Sequence, residues 1–337
     1  MNCLVVGGAG YIGSHMVKHL AKAGHRVTVF DNLSTGFADA VIGGTLIEGD
    51  LADGDHVARV LRDGNVDAVF HFASSIQVGE SALHPARYYR NNVVNTLNLL
   101  DAMIATGTRN LVFSSTAAVY GEPDEIPIPE SHRRAPINPY GRTKSMVEDI
   151  LADYHAAYGL NSFALRYFNA AGADPEGALG ERHEPETHLI PLVLQTVSGR
   201  RASIAVFGRD YDTPDGTCIR DYIHVADLAA AHEQALHKLI RDGGCHAANL
   251  GTGQGYSVAE VIDAVARMTG CAVPVEEKPR RAGDPARLIA DPQRAHDLLG
   301  WVPRRSALDM IIADAWAWER RCAGLSGLTA PLGSTGR

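Results

Sequence analysis

The chain is expected to fold as α/β, a doubly wound parallel sheet with a smaller α/β lobe, and three observations carry that expectation. Short apolar runs alternate with amphipathic stretches through the first half. A glycine-rich turn follows the first run, and the pattern loosens after Asn169 into the stretch Ala173-Asp174-Pro175-Glu176-Gly177. The runs at 3–6, 27–30, 45–47, 68–72, 110–114 and 163–165 read as strands buried on both faces, because their apolar residues are continuous rather than alternating. Helical periodicity covers 11–23, 57–63, 89–104 and 143–158, and segments 222–239 and 248–251 read as a helix and a strand returning to the first unit. The organisation expected is therefore 1–169, with about 222–251 returning, as a first unit; 170–221 and 252–325 as a second; and 326–337, rich in Gly, Ser, Thr and Pro, as a mobile tail.

At 337 residues the chain buries a sizeable core. Its 21% charged residues, 45% apolar residues and net charge of -8 argue against disorder and against a nucleic-acid partner, so a bound anion needs a local cationic site. Cys3, Cys218, Cys245, Cys271 and Cys322 are scattered without metal-ligand spacing, and an odd count makes a poor disulfide framework, which fits a reducing cytoplasm. No secretory leader is expected, since glycine breaks the apolar stretch after Met1, and no run approaches the length of a membrane span. The fifteen histidines show no helix-spaced metal pair, and no metal is expected.

The first strand runs into Gly7-Gly8-Ala9-Gly10-Tyr11-Ile12-Gly13, where Gly8, Gly10 and Gly13 form Gly-x-Gly-x-x-Gly and Gly7, Gly10 and Gly13 a second three-residue spacing. Glycine turns are common, but one that leaves a strand and opens a helix presents backbone amides to a pyrophosphate, as in a Rossmann dinucleotide site. Asp31 ends the second strand eighteen residues after Gly13, where a carboxylate accepts from the adenosine ribose. No arginine follows it directly, so NAD is favoured over NADP. Asp50, at the next strand end, is placed either to accept from the adenine amino group or as a turn residue.

Tyr140 and Lys144 lie four apart in Asn138-Pro139-Tyr140-Gly141-Arg142-Thr143-Lys144, on one face of a helix. A free phenol titrates near 10, so a neighbouring ammonium and a cationic nicotinamide are expected to bring it toward the working range of a base. Tyr-x-x-x-Lys alone also fits a surface pair; behind a dinucleotide cradle it points to hydride chemistry. Thr116 ends Leu111-Val112-Phe113-Ser114-Ser115-Thr116, at the sheet edge where α/β folds bind ligands, and reads either as a partner of the reacting alcohol or as a capping hydroxyl.

These residues, together with His71-Phe72-Ala73, Val78-Gly79-Glu80-Ser81, Asn91-Asn92-Val93, Arg166-Tyr167-Phe168-Asn169, the run from Asp215 to Val225 and Arg280-Arg281-Ala282-Gly283-Asp284, resemble the extended short-chain dehydrogenase/reductase family from Gly7 to about Trp301. Within it, the likeness is to nucleotide-sugar 4-epimerases. The resemblance implies that Gly7, Gly10, Tyr11, Ile12, Gly13, Asp31, Asn32, Leu33, Ser34, Thr35, Gly36, Asp50, Leu51, Phe72, Ala73, Ser74, Ile76, Asn91, Ser114, Tyr140, Lys144 and Phe168 line NAD. It implies that Thr116, Asn169, Leu189, Ala205, Val206, Phe207, Arg220, Tyr222, Arg281, Asp284 and Leu288 hold a UDP-sugar, with the two arginines as forked cations for a diphosphate. A homodimer through helices after the fourth and fifth strands is implied as well. Two positions depart from the family pattern: Ile76, where lysine is frequent, and His188, where asparagine is frequent.

The reaction implied is interconversion of UDP-glucose and UDP-galactose through a transient 4-keto sugar, with the N-acetylated pair as the alternative substrates. Related dehydratases carry an Asp-Glu pair directly after the hydroxyl residue. Here Ala117 and Ala118 follow Thr116, which equips the site poorly for elimination. A non-catalytic NAD sensor has the same fold but no need of the tyrosine and lysine.

Overall fold

The computed structural model of the protein describes residues 1–281 and 284–325, so the expected tail 326–337 and the pair Ala282-Gly283 lie outside the described residues. The first half contains β1 (Asn2–Val6), α1 (Tyr11–Lys22), β2 (Arg26–Asp31), β3 (Thr45–Glu48), α2 (Gly54–Asp63), β4 (Ala68–His71), α3 (Val78–Leu83), α4 (Pro85–Tyr89), α5 (Asn95–Thr106), β5 (Asn110–Thr116), α6 (Pro139–Tyr158) and β6 (Asn161–Tyr167). There follow β7 (Asn169–Ala171), α7 (Leu189–Val197), β8 (Ile204–Phe207), β9 (Ile219–Arg220), β10 (Tyr222–His224), α8 (Val225–Asp242) and β11 (Cys245–Leu250). The last elements are β12 (Tyr256–Ser257), α9 (Val258–Thr269), β13 (Val275–Lys278), β14 (Arg287–Leu288), α10 (Gln293–Leu299) and α11 (Leu308–Cys322).

Seven strands form one all-parallel sheet in the order β11-β6-β5-β4-β1-β2-β3. Both faces are covered, which is why the central strands β1, β4 and β6 are almost wholly buried. Cys3 and Val5 pack with Met16, Leu20, Leu228 and Leu236 of α1 and α8, while Leu4 and Val6 pack with Val57, Leu61, Leu99 and Val147 on the opposite face. The strand order reverses at β1, whose neighbours are β4 and β2. Ligands of such sheets bind beyond the carboxyl ends at that point. There the turns after β1 and β4 touch, with the amides of Phe72 and Ala73 donating to the Val6 carbonyl at 2.8 and 3.2 Å.

A separate apolar cluster joins Ile190, Val193 and Leu194 of α7, Val206 of β8, Val261 and Val265 of α9 and Ile311 and Ile312 of α11. Three small sheets, β10-β7, β12-β9-β14 and β13-β8, surround it.

Three local differences from the sequence expectation have clear causes. The helix expected over 89–104 is interrupted by a wide turn at Arg90–Val94, so that α4 and α5 are separate. That turn seats Asn92, whose amide accepts from Ser75 N at 2.8 Å and donates to Ser75 O at 3.0 Å and to Thr143 Oγ1 at 3.1 Å. The helix expected over 143–158 begins at Pro139, because Asn138 caps it by accepting from Gly141 N at 2.8 Å and proline sits at the first helical position. The helix expected from 222 begins at Val225, capped by His224, because Tyr222–His224 pair with Asn169–Ala171 as a strand.

Candidate active site

At the β1 turn the three glycines do different work. Gly7 has φ 78°, and a Cβ there would stand 2.5 Å from Ala73 N; a Cβ on Gly13 would stand 2.1 Å from Gly7 O. Both are forced by close backbone approach. Gly10 is different, since a Cβ there would meet nothing nearer than Gly7 O at 3.5 Å, so the helix mouth opens outward. Gly10 caps α1 without a side-chain hydrogen bond, and no acidic residue lies in the first turn, so the amides and positive dipole end near Tyr11 and Ile12 fit a phosphate.

Asp31 sits beside this turn and is buried. Its carboxylate accepts from Ala9 N and Leu33 N, both at 2.9 Å, so it ties the glycine turn to the following loop as well as standing where a ribose is expected. Leu33, with φ 55°, occupies the left-handed region, a strained setting for a leucine that the aspartate hydrogen bond helps hold. Asn32 donates to Asp50 at 2.8 Å and accepts from Ser34 N, Thr35 is exposed, and Gly36 lies against Ala9. Leu51 is buried, its carbonyl accepting from Asn98. Phe72 stacks on His232, Asn91 donates to Asn92, and Ile76 is exposed.

The Thr116, Tyr140 and Lys144 side chains converge at the carboxyl ends of β4 and β5. Gly141 permits this: a Cβ there would stand 2.5 Å from Ala118 O, so α6 starts hard against the segment after β5 and brings the Tyr140 phenol beside Thr116. Thr116 also caps the short turn behind it, accepting from Ala118 N at 3.2 Å, as the capping reading expects. Lys144 is fully buried and donates to Ser74 Oγ and Ser114 O, each at 2.7 Å, with its ammonium 4.8 Å from the centre of the Phe113 ring.

Burial pushes the Tyr140 phenol above its ordinary value, against an opposing pull from Thr116. The Lys144 ammonium is directed at Ser74 and the Ser114 carbonyl. Burial pushes Lys144 down to about 7, against an opposing pull from Glu148.

Glu148 is a residue that sequence reasoning missed. It stands one helical turn beyond Lys144 and is buried, accepting from Arg166 Nε at 3.0 Å and Nη2 at 2.6 Å and from Ser115 Oγ at 2.5 Å. Arg166 continues to Tyr120 at 2.8 Å, and Tyr120 to Asn249 at 2.6 Å, locking β5, β6, α6 and β11 together beneath the catalytic edge. The four-residue step from Lys144 to Glu148 was the available signal.

The expected substrate residues lie across the crevice, with one exception in orientation. Val206 points into the core of the second cluster, as the alternation along β8 requires, whereas Ala205 and Phe207 are half-buried. Arg281 lies over Phe207, its guanidinium 3.9 Å from the ring centre, and Arg220 pairs with Asp284. Asn169 donates to the Asp221 carbonyl, Tyr222 is buried, and Leu189 opens α7. Phe168 and Leu288 both pack against the small cluster of Ala117, Val119, Tyr120 and Ile128 directly behind Thr116. His188, one of the two departures, is held by the buried carboxylate of Glu181.

A parallel sheet with an open glycine turn at its switch point and a Thr-Tyr-Lys group beside it defines a dinucleotide-dependent protein equipped for hydride and proton transfer. The pattern of the NAD dependent epimerase/dehydratase family matches residues 3–251, and the chain belongs to that family. It is 49% identical over 320 residues to a UDP-glucose 4-epimerase of Halalkalibacterium halodurans, covering 95% of this chain and 96% of the relative. Among solved structures, a Brucella ovis UDP-glucose 4-epimerase in complex with NAD shares 53% identity at a TM-score of 0.92, covering 94% of this chain and 97% of the other. A Stenotrophomonas maltophila UDP-glucose-4-epimerase with bound NAD and formylated UDP-arabinopyranose shares 41% identity at a TM-score of 0.93, covering 96% and 99%.

Proposed function

We propose that the chain interconverts UDP-glucose and UDP-galactose, inverting carbon 4 of the sugar through a transient 4-keto intermediate. The observation that carries this reading is the Thr116, Tyr140 and Lys144 group followed by Ala117 and Ala118, a site with a base for the sugar hydroxyl and no carboxylate pair for eliminating water. Bound NAD would supply a reversible hydride acceptor for carbon 4, regenerated in each cycle. Tyr140 takes the proton of the 4-hydroxyl and Thr116 holds the phenol in line. Lys144 is fixed at the same edge by its hydrogen bonds to Ser74 and the Ser114 carbonyl and orients the reacting groups. Tyr11, Ile12, Asp31 and Asp50 hold the cofactor, while Asn169, Arg220, Tyr222, Arg281 and Asp284 anchor the UDP moiety so that the sugar is free to turn and present its other face.

In this reading the cofactor unit is 1–169 with 222–251, and the sugar-nucleotide lobe is 170–221 with 252–325. The protein acts in galactose metabolism in the cytoplasm, as its five free thiols support. Among the described residues no helix is long and apolar enough to cross a membrane. A homodimer through the helices after β4 and β5 is part of the same reading.

The test is incubation of purified protein with UDP-galactose, followed by chromatography, and analysis of the nucleotide released on denaturation. UDP-glucose should form without added cofactor, and the released nucleotide should be NAD or NADH with almost no NADP. A dehydrated sugar, or chiefly NADP, would overturn the corresponding assignment.

Leu288 sets the sugar preference. It is half-buried against Ala117 and Tyr120, shorter than tyrosine and without a hydroxyl, so the N-acetylated pair should turn over slowly but measurably. Leu288→Tyr should suppress N-acetyl turnover by at least about tenfold while sparing UDP-galactose, because it fills volume that only the larger sugar needs. Equal loss on both substrates would remove Leu288 as the gate.

A further inference from the structure

Four side chains of the second lobe converge in one irregular loop before α7. Glu181, His183, Glu186 and His188 place one donor atom each within 4.8 Å of all the others, although histidines at this spacing share no helix face. Both carboxylates are almost wholly buried, at 5% and 6% exposure. Only His188 and Glu181 meet in a side-chain hydrogen bond within this group. The remaining separations are 3.2 Å from His183 Nδ1 to Glu181 Oε1, 3.5 Å from His183 Nδ1 to Glu186 Oε2 and 3.6 Å from His188 Nδ1 to Glu186 Oε1.

The separations of His183 Nδ1 from Glu181 Oε1 and Glu186 Oε2 match the edges of a coordination tetrahedron, and His188 Nδ1, now in closer contact with the same Glu181 oxygen, would draw back slightly to complete it. Zinc bonds of 2.0–2.1 Å to imidazole nitrogen and carboxylate oxygen give ligand-to-ligand edges of roughly 3.3–3.4 Å. A second, independent observation concerns His183 Nδ1, which is buried and has no aligned hydrogen-bond partner while lying close to two carboxylates. A lone pair directed at a cation held by the same two carboxylates accounts for such an atom.

The loop is also held as a metal site must be. Glu186 Oε1 accepts from the amides of Thr187 and His188 at 2.7 and 2.8 Å, which fixes its carboxylate. Trp318 donates to the Glu181 carbonyl at 3.1 Å, tying the loop to α11. The guanidinium of Arg182 lies 3.6 Å from the Phe37 ring centre and pairs with Asp39, tying the same loop to the cofactor side. His183 meets the Tyr11 ring edge-on at 6.2 Å.

We propose that Glu181, His183, Glu186 and His188 bind one zinc-class divalent cation, which staples the loop before α7 between the glycine turn and the sugar-nucleotide lobe. Two imidazoles and two carboxylates select a borderline transition metal over magnesium or calcium, which prefer all-oxygen shells. Four protein donors make the site closed and structural, with no position left for activating water. His188, where the family pattern has asparagine, is thus a ligand rather than a nucleotide contact.

The test is titration of the metal-stripped full-length protein with CoCl2 and ZnCl2, read by visible absorption, by metal content after desalting and by thermal melting. One equivalent of cobalt with the intense visible bands of a tetrahedral site, displaced by zinc and accompanied by a higher Tm, is expected. His183→Ala and Glu181→Gln, each checked for native circular dichroism, should weaken binding by at least about tenfold and abolish the bands. Absence of tetrahedral bands in the wild type would overturn the proposal. So would bands that survive both substitutions but vanish in His25→Ala, since His25, Glu233 and His237 form the other candidate group among the described residues.

Discussion

Tyr140→Phe should lower turnover of UDP-galactose by about 10²–10⁴-fold, while the purified variant still releases NAD on denaturation. The ring of Tyr140 packs at the start of α6, and phenylalanine preserves that packing. What it removes is the oxygen beside Thr116, the proposed acceptor of the sugar proton. The cradle around Gly10 and Asp31 is untouched, so a loss of bound cofactor is not expected. Because burial raises the phenol against an opposing pull from Thr116, the wild-type rate should climb with pH as phenolate becomes available. The phenylalanine variant should have lost that limb of the pH profile. Steady-state assays across pH, with chromatography of the released nucleotide, check both statements, and near-wild-type turnover in the variant would take the phenol out of the reaction.

The parts of this site that are contiguous in sequence were legible there. Gly7 to Gly13 announced the cradle because close backbone approach tolerates only glycine, and Asp31 followed at a fixed distance. Tyr140 and Lys144 were readable because one helical turn separates them. The partners of the ammonium were not legible: it donates to Ser74 and Ser114, residues 70 and 30 positions away, which no local pattern encodes. The wide turn at Arg90–Val94 was hidden for the same reason, since Asn92 is held by Ser75 and Thr143. Two signals were local and overlooked. Asn138-Pro139 marks the true start of α6, and Gly141 marks where that helix touches Ala118. The His183 and His188 gathering escaped a search for helix-spaced ligands because its geometry comes from an irregular loop held by Trp318 and Arg182.

Lys144→Met should abolish most activity and, unusually for an active-site substitution, remove a stability cost that the wild type carries at neutral pH. Burial holds the Lys144 ammonium down to about 7, from an ordinary value of 10.5. The sign follows from the two states. Below pH 7 both folded and unfolded chains hold the proton, so stability is independent of pH on this account. Between pH 7 and 10.5 the unfolded chain binds the proton more readily, so folded wild-type protein gains stability as pH rises through this window. At 1.36 kcal/mol per unit, the gain from pH 7 to 9.5 is on the order of 3 kcal/mol. Methionine has no proton to lose and leaves Ser74 Oγ and the Ser114 carbonyl without their donor, a cost of about 1–3 kcal/mol that does not vary with pH. The difference in Tm, variant minus wild type, should therefore be most favourable to the variant at pH 6–7 and should fall by several degrees toward pH 9.5. Parallel melting curves across that range would mean that Lys144 titrates as a free lysine does. A buried cation maintained at such expense is explained by its work at the catalytic edge, where it lies within one helical turn of the phenol and one of Glu148.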